Sequence, residues 1–465
     1  MHSMSDNRPW YKELTRYHWF VLVVAALGWL FDTMDQQLFT LARMPAMTEL
    51  LHVGSSPTPE QKLEVKAYAG HATTIFLIGW ASGGLIFGVL GDRFGRAKVM
   101  MWTILIYSLC TGLSALSVGF WDFAFYRFLT GLGVGGEFAV GVALVAEVMP
   151  NRARPYALGL VQALSAVGNI SAGLINIGLG EMEGRDLFSG MNLFGIQMTA
   201  WRLMFVVGML PALLAVVIRS KLKEPERWQS TVKDGAAAKQ LGSYAELFSD
   251  PRWRKNAIVG LCLAFAGVVG LWGIGFFAPD LVRSVFKPQF LAEGLTEQQA
   301  DGKLTTWTGI NSIMQNIGGF FGIYAFSLIS AQLGRRKAFA LSFVAAMVST
   351  AFLYWNINRL SDMFWMTPLM GFCQLSLFGG YAIYFPELFP TRLRSTGVSF
   401  CYNVGRFVAA VGPFMLVKLA GVFSQQNGYT QEPYRYAGVV MCSVFLIGLV
   451  TLPFAPETVG KPLPE

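Results

Sequence analysis

Gly88-Val89-Leu90-Gly91-Asp92-Arg93-Phe94-Gly95-Arg96-Ala97-Lys98 is a short charged turn with a long apolar run on each side, at roughly 67–91 and 97–119. Each run has about the 20 residues that a helix needs to cross the hydrocarbon core of a bilayer. The turn returns: Gly95-Arg96-x-Lys98 recurs 239 residues later as Gly334-Arg335-x-Lys337, and Glu147-x-x-Pro150-x-Arg152-x-Arg154 recurs 240 residues later as Glu387-x-x-Pro390-x-Arg392-x-Arg394. One basic turn between apolar runs is ordinarily a topology anchor. Two motifs sharing nearly one offset argue for a duplicated unit.

Composition agrees. The 465 residues are 54% hydrophobic and only 14% charged, with a mean hydropathy of +0.46. A soluble domain carries about a quarter charged residues, so an ordinary soluble enzyme, a disordered chain and a disulfide scaffold are excluded. The net charge of +8 lies in clusters between apolar runs, which fits membrane lipid as a partner and not nucleic acid. Cys110, Cys262, Cys373, Cys401 and Cys442 lie inside apolar runs without a C-x-x-C pair and read as small core hydrophobes. His2, His18, His52 and His71 make no metal-ligand spacing with one another, so no metal or cofactor is expected. The first apolar run holds two aspartates and lacks a small-residue cleavage site, so it reads as a retained span and not as a signal peptide.

Spanning runs can be placed at roughly 17–42, 67–91, 97–119, 121–149, 154–180, 199–221, 254–283, 304–333, 336–357, 362–388, 392–422 and 434–455. They predict an all-α membrane protein of twelve transmembrane helices in two pseudo-symmetric six-helix bundles. The most polar stretch, Lys221 to Lys255, divides the chain into residues 1–221, a linker at 222–253 and residues 254–465. With the N-terminus inside, 23 of the 36 Lys and Arg residues fall in inner segments and 10 in outer ones. Both termini are therefore expected on the cytoplasmic side of a multi-pass cell-membrane protein.

The quoted turn resembles the signature loop of the major facilitator superfamily. Arg127-x-x-x-Gly131-x-Gly133-x-Gly135-Gly136, Glu224-Pro225-Glu226-Arg227-Trp228 and Pro456-Glu457-Thr458-Val459-Gly460 are similar to the sugar-porter branch in its wide sense. The resemblance implies alternating access, with Asp92, Arg93, Gly95, Arg96, Glu147, Arg154, Glu387 and Arg394 gating the cytoplasmic face. The second half has Ala331 and Gln332 where Asp and Arg would stand, so its latch is expected to be weaker.

Acids inside a bilayer are costly and call for a function. Asp32 and Asp35 are an i, i+3 pair on one face of the first span, with Gln36 one turn from Asp32. Two carboxyls this close resist ionising together in a dry site. Counting 1.5 Å per residue, Asp35 lies about 12 Å in from Arg43 and Arg127 about 9 Å in from Trp121, so the two share a level. An arginine favours the ionised carboxylate and desolvation the neutral acid, so a conformational change that alters either effect loads or unloads a proton. The resemblance implies that Asp32 or Asp35 carries the proton with Arg127. The bland alternative is an acid that merely pairs with an arginine or caps a broken helix.

Asp32-Thr33-Met34-Asp35 is similar to the paired-aspartate motif of proton-linked aromatic-acid, sialate and lactate symporters, and Gly135-Gly136-Glu137-Phe138 to the glycine-glutamate signature of metabolite symporters. Gly159-Leu160-Val161-Gln162, Trp201-Arg202-Leu203-Met204-Phe205 and Tyr402-Asn403-Val404-Gly405-Arg406 point the same way. Glu137 thus joins the proton-coupling candidates. Arg406 offers a guanidinium suited to a carboxylate; its alternative is a structural pair. Gln162, Asn169 and Asn176 recur every seven residues on one helix face, and Asn311 and Gln315 at i, i+4 on another. Unsatisfied amides are costly in lipid, so both stripes are expected to face the interior, as substrate ligands or as helix glue. Trp272, Phe276 and Phe277 are candidates for the cavity wall, although an aromatic stripe is more often packing. Gly84-x-x-x-Gly88, Gly131-x-x-x-Gly135 and Gly318-x-x-x-Gly322 are assigned to packing alone.

These readings favour a monomeric proton symporter of a small organic acid or sugar-like metabolite. A neutral sugar porter is the first alternative. A proton antiporter is disfavoured, because Leu158–Gly180 lacks the proline that the family's antiporters carry in span five. A non-transporting sensor is disfavoured by short tails, and an enzyme by the lack of a nucleophile, base and orienting group as a set.

Overall fold

The computed structural model describes residues 9–54, 58–185, 187–188, 190–234, 241–274, 278–409, 419, 422–423 and 433–465. The first half holds α1 (Arg16–Leu50), α2 (Pro59–Phe94), α3 (Arg96–Ser114), α4 (Phe120–Val148), α5 (Arg154–Gly184), α6 (Ala200–Val207) and α7 (Ala212–Lys221). A hairpin of Asn192–Leu193 against Ile196–Gln197 lies between α5 and α6. The sixth expected span is thus two helices, and Pro211, which cannot donate to a helical ladder, stands at the break. The linker forms two short helices, α8 (Glu226–Lys233) and α9 (Tyr244–Ser249).

The second half holds α10 (Pro251–Val268), which runs into a π-helical turn (Val269–Ile274), then α11 (Ala278–Ala292), α12 (Glu297–Leu333), α13 (Arg335–Asn356), α14 (Met366–Leu388), α15 (Arg394–Ala409), α16 (Pro433–Met441) and α17 (Phe445–Thr451). Among the described residues, nine helices are long and apolar enough to cross a bilayer. Residues 410–418 of the expected eleventh span lie outside the described residues, and the last span is α16 and α17 joined by a 3-10 turn at Cys442–Val444.

Local chemistry repeats between the halves. α2 and α12 open on matching capping boxes: the Gln61 N–H donates to Thr58 Oγ1 at 3.2 Å and the Gln299 N–H to Thr296 Oγ1 at 3.3 Å. Both helices end at a glycine with positive φ, Gly95 (105°) and Gly334 (91°), a conformation that disfavours side chains. A Cβ at either position would also collide with a carboxylate, that of Glu224 or that of Glu457. Those carboxylates cap the following helices. Glu224 accepts from the N–H groups of Ala97 and Lys98 at 3.1 and 3.0 Å, and Glu457 from those of Arg335 and Arg336 at 2.9 and 3.1 Å. The opposite ends are closed by arginines. Arg202 donates to the carbonyls of Ala115 and Ser117 at 2.6 and 2.9 Å after α3, and Arg435 to those of Tyr354, Trp355 and Ile357 at 3.0, 2.8 and 2.6 Å after α13. Both the cap pair and the arginine pair are separated by 233 residues.

Side-by-side packing repeats as well. Gly131 and Gly135 of α4 lie against the backbone of Phe76 and Trp80 on α2, as Gly318 and Gly322 of α12 lie against that of Pro368 and Phe372 on α14. Gly84 and Gly88 of α2 instead face Asn403 and Ser399 of α15, so this small-residue stripe joins the two halves. α4 is the most buried of the nine spans, which puts its polar residues at the centre of the protein.

The two glutamate caps differ in proton linkage. Partial burial raises the Glu457 carboxyl, but N–H bonds from Arg335, Arg336, Val459 and Thr458 outweigh it and leave it below its ordinary value. Burial pushes the Glu224 carboxyl above its ordinary value, against bonds from the N–H groups of Lys98, Ala97 and Arg96. A depressed carboxyl adds stability that is present above the unfolded value of about 4.3 and is lost as pH falls through the folded one; a raised carboxyl adds stability that is lost as pH rises. Relative to the parent chain, over about pH 3 to pH 7, Glu457→Gln is therefore expected to become more destabilising as pH rises to about 4.3, and Glu224→Gln less destabilising as pH rises beyond it. Thermal unfolding of the purified variants across that range checks it, and parallel slopes would contradict it.

Candidate functional site

Two polar clusters lie where the halves meet. The first starts from α1, where Asp32 and Asp35 are both fully buried. Their partners differ. Asp35 Oδ1 accepts from Thr111 Oγ1 at 2.7 Å, and Asp35 Oδ2 stands 3.9 Å from Arg127 Nη1. Arg127 is held from its other side, donating from Nε and Nη2 to Ser114 Oγ at 3.1 and 2.7 Å, with its guanidinium 4.6 Å from the Phe205 ring. Asp35 Oδ2 and Arg127 Nη1 have no hydrogen-bond partner, so this is a loose ion pair inside a tight frame.

Among the described residues Asp32 accepts from Gln36 Nε2 alone, at 3.4 Å, and its Oδ1 has no hydrogen-bond partner. Glu137, Asp35 and Arg406 are within electrostatic reach of it. Glu137 on α4 is 1% exposed and neither of its oxygens is hydrogen-bonded. It reaches α1 at Gly28, where a Cβ would stand 2.6 Å from Glu137 Oε1. The hydroxyl of Tyr107 is a further buried group without a hydrogen-bond partner near these acids. Orphaned polar atoms are rare in folded proteins and mark places where something else binds or where chemistry occurs.

Arg406 comes from α15 in the other half. Its guanidinium lies 3.8 Å from the ring centre of Trp80 on α2 and 4.2 Å from that of Tyr402, and its Nη1 donates to Asn403 Oδ1 at 3.3 Å. Among the described residues its Nε has no hydrogen-bond partner. Phe138 stacks on Tyr402 at 4.2 Å and packs against Trp29 at 4.7 Å. An aromatic wall built from both halves thus surrounds one guanidinium beside an acid pair. The sequence alone assigns no role to Trp29, Trp80 and Tyr107, and Phe138 and Tyr402 enter it only as members of the motifs that hold Glu137 and Arg406.

The amide candidates divide. Gln162 is buried with no hydrogen-bond partner for its Oε1. Asn169 donates to Asn316 Oδ1 at 2.9 Å and so ties α5 to α12 across the halves. Asn311 accepts from Thr367 Oγ1 at 2.8 Å and leaves its Nδ2 unpartnered, while Gln315 reaches Gln374 at 3.5 Å. The Trp272 side chain, Phe276 and Phe277 lie outside the described residues. Among the described residues no cluster of metal-ligating side chains occurs.

The second cluster lies at the end of the molecule that carries the signature loop and the linker. Asp92 accepts from the N–H groups of Ser395 and Thr396 at 3.1 and 2.8 Å and from Thr396 Oγ1 at 2.6 Å, so a carboxylate of α2 caps the N-terminus of α15. Arg96 holds Asp92 at 2.9 Å and Glu147 at 3.0 Å, and its Nη2 also donates to the Thr391 carbonyl at 2.6 Å. Glu147 in turn receives Arg394 Nη1 at 2.7 Å. The Ser399 hydroxyl closes the seam onto the Gly84 carbonyl.

This end is less symmetric than its sequence. Arg335 and Glu387 pair at 2.9 Å, and Thr458 also donates to Glu387 at 2.6 Å, but all three belong to the second half. Arg154 bonds Ala146 and Asn151 of its own half. Arg93 donates to the Leu241 carbonyl of the linker at 3.1 Å. The charged contacts described across this seam involve Asp92, Arg96, Glu147 and Arg394, and Ala331 and Gln332 give the second half no counterpart to Asp92.

The sequence matches the pattern of the family described as Sugar (and other) transporter over residues 23–247. It is 29% identical to a putative metabolite transport protein of Haemophilus influenzae, over 97% of this chain and 99% of that one. It is 27% identical to a probable 4-methylmuconolactone transporter of Cupriavidus pinatubonensis, over 93% of this chain and 91% of that one. The fold is that of the major facilitator proton:xylose symporter XylE, solved with bound 6-bromo-6-deoxy-D-glucose, with a TM-score of 0.73 at 17% identity over 96% of this chain and 98% of that one.

Hydrogen bonds to a charged group contribute on the order of 1.5–3 kcal/mol each, and those of Asp92 exist only while the two halves touch at this end. Asp92→Asn loses the charge and turns an amide donor toward backbone donors. It is expected to raise labelling of cysteines placed between the halves, reached from the loop side, by about tenfold, and Glu147→Gln is expected to do the same. Labelling unchanged in both variants would remove the latch assignment.

Proposed function

We propose that this chain, a membrane transporter of the major facilitator superfamily and of the sugar and metabolite type, carries a small organic anion together with protons. The observation that supports this most is the pairing of opposites at the centre. Asp32 and Glu137 lack the donors to satisfy two negative charges, and Arg406 faces them from the other half with an unsatisfied N–H. A proton shared by the acid pair removes the repulsion between them, and a substrate carboxylate becomes the counter-ion of Arg406 in place of Asp32. The likeness to a 4-methylmuconolactone transporter and to a metabolite transport protein supports a small metabolite as cargo.

In this reading residues 1–221 and 254–465 rock about the central site. Asp35 with Arg127 is a second proton station, sensitive to the 3.9 Å gap between them. The seam at Asp92 and Glu147 closes one face while the site loads from the other. Arg93, Gly95, Arg154 and Glu387 shape the ends of the helices that move. Both termini lie on the cytoplasmic side of the cell membrane, in keeping with the Lys and Arg bias, and the transporter works as a monomer because its path runs between two halves of one chain.

One proton moved with a monoanion transfers no net charge, so the pH gradient alone drives that stoichiometry, at about 1.4 kcal/mol or tenfold accumulation per pH unit. A second proton adds about 2.3 kcal/mol per 100 mV. Uptake into proteoliposomes is expected to follow an imposed pH gradient and to collapse with a protonophore. Uptake that persists with the protonophore and tracks sodium instead would overturn proton coupling.

A neutral sugar is the second reading, favoured by the unpartnered Gln162 Oε1 and Asn311 Nδ2. Variants separate the two. Arg406→Ala is expected to weaken binding of an organic anion at least thirtyfold, since losing one side of a buried charge pair costs about 2–5 kcal/mol. Asp32→Asn is expected to abolish gradient-driven accumulation while sparing exchange. Normal substrate binding by Arg406→Ala would favour the sugar.

A further inference from the structure

A groove of about 430 Å³ runs along the outside of the second half, between the N-terminal end of α10 and the C-terminal end of α17. Arg254 and Lys255 stand at one end of it, and Ile258, Cys262, Val450 and Phe454 line the rest. Arg254, Ile258 and Cys262 follow one another at i, i+4 and i+8, so the stripe passes from cation to hydrocarbon within about 6 Å. The apolar wall faces outward: Ile258 is 50% exposed, Val450 69% and Phe454 60%. Both cations are exposed, and neither forms an ion pair among the described residues. The nearby acids are engaged elsewhere. Asp250 caps α10, accepting from the Arg252 N–H at 2.8 Å, and Glu246 pairs with Arg392 at 3.5 Å.

We propose that this groove binds an anionic phospholipid, with its phosphate on Arg254 and Lys255 and an acyl chain along Ile258, Val450 and Phe454. Charge complementarity selects the headgroup, because a zwitterionic lipid brings no net charge to two unmatched cations at a membrane boundary. The apolar floor selects a lipid over free phosphate, which gains nothing from it. A cavity of this size falls in the range of ligand sites. The bound lipid bridges the first and last spanning segments of the second half, and the proposal is independent of which solute is carried.

Native mass spectrometry of the full-length protein, titrated with phosphatidylglycerol and with phosphatidylcholine, tests it. Phosphatidylglycerol is expected to bind at least tenfold more tightly, about 1.4 kcal/mol. Arg254→Ala with Lys255→Ala is expected to bring it down to the phosphatidylcholine level. Val450→Trp, which fills the groove and keeps both cations, is expected to weaken it as well. Equal binding of the two lipids, or retention of phosphatidylglycerol by the double variant, overturns the proposal. Retention by Val450→Trp together with displacement by glycerol 1-phosphate also overturns it, in favour of a surface phosphate site.

Discussion

A charge inside a lipid-embedded protein has to be answered by the protein itself, because no water stands ready to solvate it. That constraint organises this molecule. Arg96, Arg127, Arg202, Arg335, Arg394 and Arg435 are all nearly or fully buried, and each is tied to carboxylates, carbonyls or both. Arg96, Arg202, Arg335, Arg394 and Arg435 donate to carbonyls at helix ends or turns. Asp32 Oδ1, both oxygens of Glu137 and one N–H of Arg406 are among the buried polar atoms left without a hydrogen-bond partner among the described residues, and they gather at the centre. The helix ends are thus tied by charged bonds, while the centre keeps two acids whose charges the protein does not answer.

Duplication supplies the frame and asymmetry supplies the direction. The capping boxes, the positive-φ glycines, the glutamate caps and the arginine clamps occur in both halves with nearly constant spacing. The contacts that cross between the halves do not repeat. Asp92 of the first half caps a helix of the second, whereas the corresponding turn of the second half carries Ala331 and Gln332. Contacts present in one conformation alone set the populations of the two, so in the proposed cycle a seam carried mainly by one half is a bias that opening of this end must overcome.

The central site links charge to shape. Arg406 belongs to one half, and the acids and Trp80 to the other. Any motion of the halves therefore changes the field at the acids, while the stacked Trp80 and Tyr402 keep the guanidinium in one plane. In the proposed mechanism, binding of an anion, proton occupancy and opening are expressions of this one electrostatic balance.

The sequence by itself determined the class of molecule, most span positions and the repeat, because apolar length, basic turns and helix-ending glycines are written in consecutive residues. It also marked Asp32, Asp35, Arg127, Glu137 and Arg406, since a charge in an apolar run stands out wherever the run folds. It did not determine who meets whom. Asp32 and Asp35 are equivalent by spacing, yet Asp35 stands with Arg127 and Asp32 with Glu137 and Arg406. The aromatic wall was invisible for a related reason: in a bilayer protein apolar side chains face lipid as readily as the interior, so Trp29, Trp80 and Phe138 carry no periodic mark. Those choices depend on how each helix is rotated about its axis and on which helix of the other half it touches, and only the packed structure sets both.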